Sequence, residues 1–419
     1  MSLFIKNTRK LVNVRQRQPE SPLEGQDMLS LPCMEGAWLK TEGDRIAGFG
    51  LMKDLDAGEL EAMELSADKV VDADGRMVFP SYCDSHTHLV YAGSREMEFM
   101  DKLRGLSYQE IARRGGGILN SVELLHNTSE DELLRQTLER AWEIISLGTG
   151  AVEIKSGYGL TVEDEIKMLR VARRVGEETP LKVRTTFLGA HAVPARYKGD
   201  RTGYVDEIVR DMIPAVAAEG LADYVDIFVE EGFFSVEDAC RIFGEAVKYG
   251  MVPKVHANQM SFSGGVQVGV RYGAASVDHL EFTGPEEFKV LQGSGTIATL
   301  LPGATFFLDM DYPKAKEMLE YNLPLAIASN YNPGSCPSGD MKFMMALAMI
   351  KMRLTPETVL NAATVNGAFA MGVAGDYGCI ATGKKASLFI TKRIPSYEFV
   401  PYSFTSQLID TIILNGKQY

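Results

Sequence analysis

Asp84-Ser85-His86-Thr87-His88 contains two histidines that are separated by one residue, and the fold prediction starts from this segment. Apolar residues precede and follow it, which indicates a buried strand and not a disordered tail. Alternate side chains of a strand point to the same face, so His86 and His88 point the same way. Two imidazoles that converge from one strand can hold a divalent metal ion. The pair uses two of the six histidines in the chain and predicts a metal site.

Short apolar runs alternate with amphipathic segments through the middle of the chain. The eight runs cover residues 78–83, 150–154, 182–189, 223–229, 252–256, 275–280, 296–301 and 324–329. Two of the segments between them, 131–145 and 162–175, place apolar residues near helical spacing. Eight strands that alternate with helices predict an α/β fold of the (β/α)8 TIM-type barrel class. An open doubly wound sheet is the alternative, although no G-x-G-x-x-G motif follows the first strand.

Both ends of the chain contain short strand patterns and turns. Thr41-Glu42-Gly43-Asp44 and Asp74-Gly75 indicate two hairpins near the N-terminus, and residues 386–390 and 411–414 resemble strands near the C-terminus. We therefore predict a small β-sandwich domain built from both chain ends, residues 1–79 and 373–419. The barrel then comprises residues 80–372.

The composition is typical of an ordinary globular protein, with 45% apolar and 24% charged residues among 419. A net charge of −13 without any basic cluster argues against a nucleic-acid partner. The sequence contains neither an apolar run of about 20 residues that would span a membrane nor a secretory signal. Five scattered cysteines without C-x-x-C spacing fit a reducing compartment, so we expect a cytoplasmic location.

Every other histidine except His126 lies at the end of a predicted strand. His191 follows the third run, His256 ends the fifth and His279 lies in the sixth. The polar segment 329–335 follows the eighth run. In a (β/α)8 barrel the chemistry takes place at the C-terminal ends of the strands. Packing alone does not explain such clustering, so these residues predict a functional site.

The pattern of these residues resembles the amidohydrolase superfamily and, within it, the imidazolonepropionase family. That superfamily has His-x-His on strand one, histidines on strands five and six, and a polar residue that ends strand eight. Five segments, in the right order, resemble the imidazolonepropionases: residues 88–95, 153–159, 187–191, 256–259 and 332–335. The resemblance extends from about residue 79 to residue 372.

The resemblance implies the hydrolysis of a cyclic amide in histidine degradation. Water opens the ring of 4-imidazolone-5-propanoate and gives N-formimidoyl-L-glutamate. A single metal ion, zinc or iron, is implied, with His86, His88, His256 and Asn330 as its ligands. A metal ion suits this reaction because it lowers the pKa of a bound water towards ~7 and can polarise a carbonyl group. The family also suggests a homodimer.

The resemblance also implies roles for the residues around the metal ion. His279 is expected to act on the attacking water or the ring oxygen, as a base or a polarising donor. Arg95 is expected to bind the propionate, because a guanidinium donates two parallel hydrogen bonds to a carboxylate. The other expected substrate contacts are Tyr158, His191, Gln259, Asn332, Gly334 and Ser335. Asp278 either orients its strand or pairs elsewhere.

Two other branches of the superfamily fit the sequence less well. Deaminases have a glutamate three residues after the strand-five histidine, where this chain has Gln259, which cannot exchange a proton at neutral pH. Binuclear members bridge two metals with a carboxylated lysine on strand four, and the predicted strand 224–229 contains no lysine. Lys155 ends strand two and is interpreted as structural or as a support for the metal ligands. A single metal ion follows.

Asn330 is the departure from the family pattern that matters most. The family has an aspartate at this place, which binds the metal and takes a proton from the attacking water. An asparagine offers a weak amide-oxygen ligand and cannot act as a base. We therefore expect weaker metal binding and slow turnover, or a homologue that binds the ligand without turnover. Another mononuclear cyclic-amide hydrolase or aminohydrolase is the remaining alternative.

Overall fold

The computed structural model describes residues 2–105 and 117–419 of the chain. Within these residues, sixteen strands form two sheets of eight strands each. One sheet is a parallel barrel, and the other is a mixed sheet to which both ends of the chain contribute. The predicted fold class, a (β/α)8 barrel with a small β-domain from the two chain ends, is confirmed.

Five N-terminal strands begin the mixed sheet. They are β1 (Leu3–Val12), β2 (Cys33–Glu42), β3 (Arg45–Leu51), β4 (Lys69–Asp72) and β5 (Met77–Pro80). Strand β2 pairs antiparallel with both β1 and β3, and the turn to β3 contains Gly43 with a left-handed φ of 59°. The hairpin predicted at residues 41–44 is confirmed.

The second predicted hairpin, at Asp74-Gly75, is wrong. A turn is present there, but β4 and β5 each pair in parallel with β1 and not with each other. The turn bonds to β1, because the N–H of Ala73 donates to the Lys6 carbonyl and the N–H of Gly75 donates to the Asn7 carbonyl. Asn7 has a left-handed φ of 55° and lies where the register of β1 shifts, so β1 presents a bulge to this turn.

The next eight strands are all parallel and form the barrel. They are β6 (Tyr82–Thr87), β7 (Thr149–Lys155), β8 (Lys182–Ala190), β9 (Tyr224–Val229), β10 (Val252–Ala257), β11 (Ser276–His279), β12 (Ile297–Leu300) and β13 (Leu325–Ile327). Each overlaps one of the predicted apolar runs. The first run divides between two strands, because residues 78–80 belong to β5 in the mixed sheet and the barrel strand starts at Tyr82.

Backbone hydrogen bonds close the barrel between β6 and the segment that follows β13. The N–H of Asn330 donates to the His86 carbonyl at 2.9 Å, and the N–H of His88 donates to the Tyr331 carbonyl at 3.0 Å. The carboxylate of Asp84 also accepts the N–H of Ser329 at 2.9 Å. This closure excludes the open doubly wound sheet and brings the ends of the first and last barrel strands together.

Helices connect the barrel strands and cover their outer face. The α-helices of the described residues are Ala57–Ser66, Glu96–Leu103, Ile118–His126, Glu130–Ser146, Val162–Glu178, Arg201–Glu207, Ile213–Ala218, Val236–Ala246, Gly265–Arg271, Pro285–Leu291, Pro302–Leu308, Ala315–Glu320, Met341–Met352, Pro356–Asn361, Gly367–Ala370 and Phe399–Tyr402. Ser129 and Thr161 cap the two predicted helices by accepting N–H groups of their first turns. Both predicted helices are confirmed. Among the described residues, none of the helices combines the length and the apolar composition that a membrane span requires.

Three C-terminal strands complete the mixed sheet, β14 (Leu388–Thr391), β15 (Ile409–Leu414) and β16 (Lys417–Gln418). Strand β14 pairs antiparallel with β5, and the rings of Phe389 and Phe79 stack there with centroids 5.1 Å apart. The predicted strands near 386–390 and 411–414 are confirmed. The largest hydrophobic core lies between the barrel strands and the helices, and it includes Val225, Ile242 and Val255.

Candidate active site

Four buried histidines meet at the C-terminal end of the barrel. His86 lies within β6 and His88 directly follows it, while His256 lies in β10 and His279 ends β11. The ring centroids of His86 and His256 are 4.5 Å apart, and those of His256 and His279 are 5.3 Å apart. Residues that are distant in sequence meet here because parallel strands of a closed barrel end at the same edge.

His191 joins this cluster from the segment that follows β8. Its ring stacks on the ring of His88, with centroids 5.1 Å apart and an angle of 14° between the planes. Its Nδ1 atom lies 3.0 Å from the Gly157 carbonyl oxygen, which fixes the ring. The five strand-end histidines of the sequence are therefore one cluster.

The nitrogen atoms of these rings are arranged as two groups that could each hold a metal ion. Among the described residues, one group is His86, His256 and His279, and the other is His88, His191 and His256. In each group the possible ligand atoms lie within 4.8 Å of one another. His256 belongs to both groups, whereas His86 and His88 belong to different ones. The predicted ligand set therefore bridges the two groups.

Several buried polar atoms of the cluster fit a cation. The Nε2 atoms of His88 and His256 are 3.4 Å apart. Two imidazoles on a tetrahedral zinc ion, with Zn–N bonds of about 2.05 Å, have their nitrogens about 3.3 Å apart. The His86 Nε2 and Asn330 Oδ1 atoms are buried and have no hydrogen-bond partner among the described residues. Unpaired buried acceptors are costly unless a ligand uses them.

The environment keeps the imidazoles of His86, His88, His191 and His256 neutral, because burial lowers the pKa of each ring. Burial lowers the pKa of His86 and of His88 well below the usual value for histidine, and neighbouring Lys155 and the other imidazoles lower it further. Burial and His256 lower the pKa of His191 to about 3. Neutral rings have a free nitrogen lone pair, which is the form that binds a metal ion.

A cavity of about 200 Å³ opens above the histidines. Every predicted site residue except His86 lines it: His88, Arg95, Tyr158, His191, His256, Gln259, His279, Asn330, Asn332, Gly334 and Ser335. His86 is fully buried and does not line the cavity. The cavity is also lined by Glu98 and by the apolar residues Ile118, Phe228, Phe233 and Leu308, which the sequence did not single out.

Arg95 is held at the cavity wall by Glu98. The guanidinium Nε and Nη2 atoms donate to the two carboxylate oxygens of Glu98 at 2.6 and 2.5 Å. Gly334 approaches the same guanidinium so closely that a Cβ atom there would lie 2.1 Å from Arg95 Nη1. A larger residue at position 334 would therefore displace the guanidinium of Arg95 from this position. The sequence contained a signal for this ion pair, because Glu98 lies three residues after Arg95 at the start of a helix.

Asn332 organises the loop that follows Asn330. Its Oδ1 atom accepts the N–H groups of Gly334 and Ser335, both at 2.8 Å, and its Nδ2 donates to the Asn330 carbonyl at 2.6 Å. Hydrogen bonds within the loop therefore use these two N–H groups. The Nδ2 atom of Asn330 lies 3.4 Å from the Ser335 hydroxyl.

The sequence of this chain is similar to those of known proteins. The sequence profile of the amidohydrolase family matches residues 263–418. The imidazolonepropionase of Flavobacterium johnsoniae is 49% identical over 417 residues, which cover 100% of this chain and 100% of that protein. The chain belongs to the imidazolonepropionase family. It is therefore a hydrolase that acts on C–N bonds.

Two solved structures with low sequence identity have the same fold as this imidazolonepropionase-family chain. Guanine deaminase of E. coli aligns with a TM-score of 0.76 at 11% identity and covers 100% of this chain and 99% of its own. Atrazine chlorohydrolase from Arthrobacter aurescens, complexed with zinc, aligns with a TM-score of 0.71 at 13% identity and covers 99% and 94%. At such identities the likeness shows the fold alone.

In this imidazolonepropionase-family barrel, charged residues lie beneath the histidines. Asp278 accepts from His86, with 2.6 Å between its Oδ2 and the ring Nδ1, which settles the partner that the sequence left open. Asp226 Oδ2 lies 3.0 Å from His256 Nδ1, although the approach is too bent for a full hydrogen bond. The buried residues Glu153, Lys155 and Lys254 complete this layer. Charged residues inside otherwise apolar strands were the sequence signal for it.

Lys155 stays protonated in this layer. Burial by itself lowers the pKa of Lys155, but the carboxylates of Asp226, Glu153 and Asp278 outweigh it and hold the pKa above its usual value. Lys155 ends β7, as the sequence indicated, and its ammonium group points into the barrel, where it contacts these three carboxylates.

Proposed function

We propose that the chain hydrolyses the cyclic amide of 4-imidazolone-5-propanoate and yields N-formimidoyl-L-glutamate, a step in histidine degradation. The observation that carries this proposal is one cavity lined by both an arginine and a cluster of neutral imidazoles. The substrate has two matching features, a carboxylate for the guanidinium and a ring amide for the imidazole end. Relatives named imidazolonepropionase at 37–49% identity support it.

We assign one metal ion, zinc or iron, to His86, His88, His256 and Asn330. The short Nε2 separation of His88 and His256 and the unpaired His86 Nε2 and Asn330 Oδ1 atoms support this set. When bound, the ion lowers the pKa of water and polarises the amide carbonyl. All four side chains are neutral, and an amide oxygen is a weaker ligand than a carboxylate, so we expect weak affinity.

His279 and Gln259 are the groups that we assign to the reacting ring. Both line the cavity beside the metal ligands. His279 accepts the proton of the attacking water, a role that the neutral amide of Asn330 cannot fill. Gln259 donates a hydrogen bond to the ring and holds it in register.

The propionate end of the substrate is assigned to Arg95, which Glu98 orients. Tyr158 and His191 pack beside each other, with ring centroids 5.5 Å apart, and bound the substrate on one side. Asn332, Gly334 and Ser335 form the opposite wall. In this wall Gly334 leaves space for the guanidinium, and the Ser335 hydroxyl bonds with the side chain of Asn332.

Substrate profiling of the purified chain tests the proposal. The rate of ring opening is measured with imidazolone propionate and with a panel of cyclic ureides and aminated purines, at known metal content. We expect imidazolone propionate to be the preferred substrate. Preference for an aminated purine would indicate an aminohydrolase, which Gln259 argues against. A fully metal-loaded chain that binds a product analogue without any turnover would be a ligand-binding homologue.

We further propose that the chain acts as a homodimer in the cytoplasm. The family resemblance supports the dimer, and the cysteines support a reducing compartment, since all five are free in the structure. Light scattering on the purified chain tests the dimer and is expected to give twice the chain mass of 46.1 kDa. A mass of one chain at micromolar concentration would refute it.

A further inference from the structure

The interior of the barrel beneath the histidines is charged. Five side chains there are fully buried: Glu153, Lys155, Asp226, Lys254 and Asp278. Most (β/α)8 barrels fill this space with branched apolar side chains. Taking charges out of water costs several kcal/mol for each ion, so such a layer needs excellent geometry and a full set of partners.

Lys155 lies at the centre of this charged layer. Its Nζ atom is 2.8 Å from Asp226 Oδ2, 2.6 Å from Glu153 Oε1 and 3.6 Å from Asp278 Oδ2. Lys254 has a different position, because its ammonium group bonds Glu153 and the Ser85 carbonyl. Among the described residues, only Lys155 forms ion pairs with both aspartates that face the histidines.

The two aspartates contact the inner nitrogen of two proposed metal ligands. Asp278 Oδ2 is 2.6 Å from His86 Nδ1, and Asp226 Oδ2 is 3.0 Å from His256 Nδ1. A carboxylate at Nδ1 favours the tautomer with its proton there, which leaves the Nε2 lone pair for a ligand. His256 Nε2 is the atom that lies 3.4 Å from His88 Nε2.

The other carboxylate oxygen of each aspartate also accepts a hydrogen bond. The Ser276 hydroxyl donates to Asp278 Oδ1 at 2.6 Å, and the His256 backbone N–H donates to Asp226 Oδ1 at 3.1 Å. With all five groups ionised, two ammonium groups and three carboxylates leave one negative charge in the layer. Since the proposed ligands are neutral, this charge partly balances a cation on the cluster.

We propose that Lys155 is a positioning residue for the metal site. It holds Asp226 and Asp278 against the Nδ1 atoms of His256 and His86, and the Nε2 atoms of both rings are thereby directed to one ion. The inference rests on the metal site proposed above. It concerns the affinity and geometry of that site and not the proton transfers of hydrolysis.

Metal affinity of Lys155→Met compared with Lys254→Met tests this role. Each variant removes one fully buried ammonium group of the same layer, and in each variant Glu153 keeps an ion pair with the other lysine. Only Lys155→Met removes the ammonium group that pairs with both aspartates. Competition with a chromophoric chelator measures the dissociation constant for Zn²⁺, and circular dichroism verifies folding. We expect Lys155→Met to weaken Zn²⁺ binding by about 10- to 100-fold and Lys254→Met to change it much less. Equal affinity of Lys155→Met and the parent chain would overturn the proposal.

A second readout needs no metal ion. In the metal-free chain with ¹⁵N-labelled histidine, NMR of the ring nitrogens reports the tautomers of His86 and His256. We expect Nδ1–H tautomers in the parent chain and in Lys254→Met, and mixed tautomers in Lys155→Met. Unchanged tautomers would also overturn the proposal.

Failure of the metal assignment is distinguishable from failure of this inference. If the parent chain binds no Zn²⁺ or Fe²⁺, the proposed function fails first. If the parent chain binds Zn²⁺ and Lys155→Met binds it equally well, only the role of Lys155 fails. Should Lys155→Met not fold, Asp278→Asn removes the carboxylate at His86 without a change in size. It is expected to weaken Zn²⁺ binding similarly, and unchanged binding would refute the positioning role.

Discussion

The His279 Nδ1 atom lies 3.8 Å from the Glu281 Oε2 atom, and neither atom has a hydrogen-bond partner among the described residues. The other oxygen of Glu281 accepts the Thr305 hydroxyl at 2.7 Å, so the carboxylate is fixed. His279 and Leu280 have left-handed φ values of 88° and 72°, a strained conformation that costs of order 1–3 kcal/mol per residue. The strand end is thus held in a costly conformation that places His279 beside Glu281.

Glu281→Gln is predicted to slow the chemical step. The amide cannot stabilise a positive charge on His279 as a carboxylate does, so we expect kcat to fall about 10- to 100-fold with little change in KM. The pH dependence of kcat measures the effect, since the limb that reports the base should shift. Thr305→Val is the control, because it removes only the hydroxyl that bonds Glu281, and we expect a smaller fall in kcat. An unaltered kcat and pH profile would show that Glu281 does not act through His279.

Asn330→Asp is predicted to raise turnover. Aspartate has nearly the same shape and keeps the backbone bond from residue 330 to the His86 carbonyl, while it adds a charged ligand and a base. General-base catalysis contributes about 10²- to 10⁴-fold, so we expect a gain in kcat of that order and tighter metal binding. Steady-state kinetics at full metal occupancy measure it. An unchanged rate would mean that the role assigned to this position is wrong.

Gly334→Ala is predicted to raise KM. The new Cβ atom would lie 2.1 Å from Arg95 Nη1 and would displace the guanidinium from the cavity wall. Hydrogen bonds to charged groups contribute about 1.5–3 kcal/mol, so KM should rise about 10- to 100-fold, with a smaller change in kcat. Gly375→Ala is the matched control, because a Cβ atom there meets no neighbour within 4 Å. Equal KM values for the two variants would contradict the assignment of Arg95.

Asp164→Asn is predicted to make folding less sensitive to acid. Burial alone raises the pKa of Asp164, but hydrogen bonds from Lys167 and His126 prevail and lower it below 3.8. A lowered carboxyl pKa in the folded state gives stability that is present above pH 3.8 and is lost as the pH falls through the folded pKa. Urea unfolding between pH 3 and 7 measures the free energy of unfolding of the variant and of the parent chain. The difference between the two free energies should shrink at low pH. A difference that is independent of pH would refute this.

The sequence predicted the barrel because its strands are apolar runs with clear ends, and it predicted the histidine cluster because barrel topology determines where strand ends meet. The pairing of β4 and β5 with β1 was not predictable from the Asp74-Gly75 turn. A turn sequence does not specify whether the two flanking strands pair with each other or with a third strand. In the structure the turn bonds to β1 at the bulge around Asn7.

The charged layer beneath the cavity was not predicted for a related reason. Asp278 contacts His86 across 192 residues, and Lys254 contacts Glu153 across 101 residues. No local periodicity reports contacts across the inside of a closed barrel. Glu98 differs, because an acid three residues from Arg95 on a helix is a local pattern that the sequence contained.

Dependence of turnover on one bound metal ion is measured by reconstituting the chelator-stripped chain with Zn²⁺ or Fe²⁺ and following imidazolone propionate ring opening at each added equivalent. We predict negligible turnover without metal, a proportional rise up to one ion per chain and a plateau beyond it. Asn330→Asp should give the same stoichiometry at a higher rate. Full turnover by the stripped chain, or a rise that continues to two ions per chain, would contradict the single metal site at His86, His88 and His256.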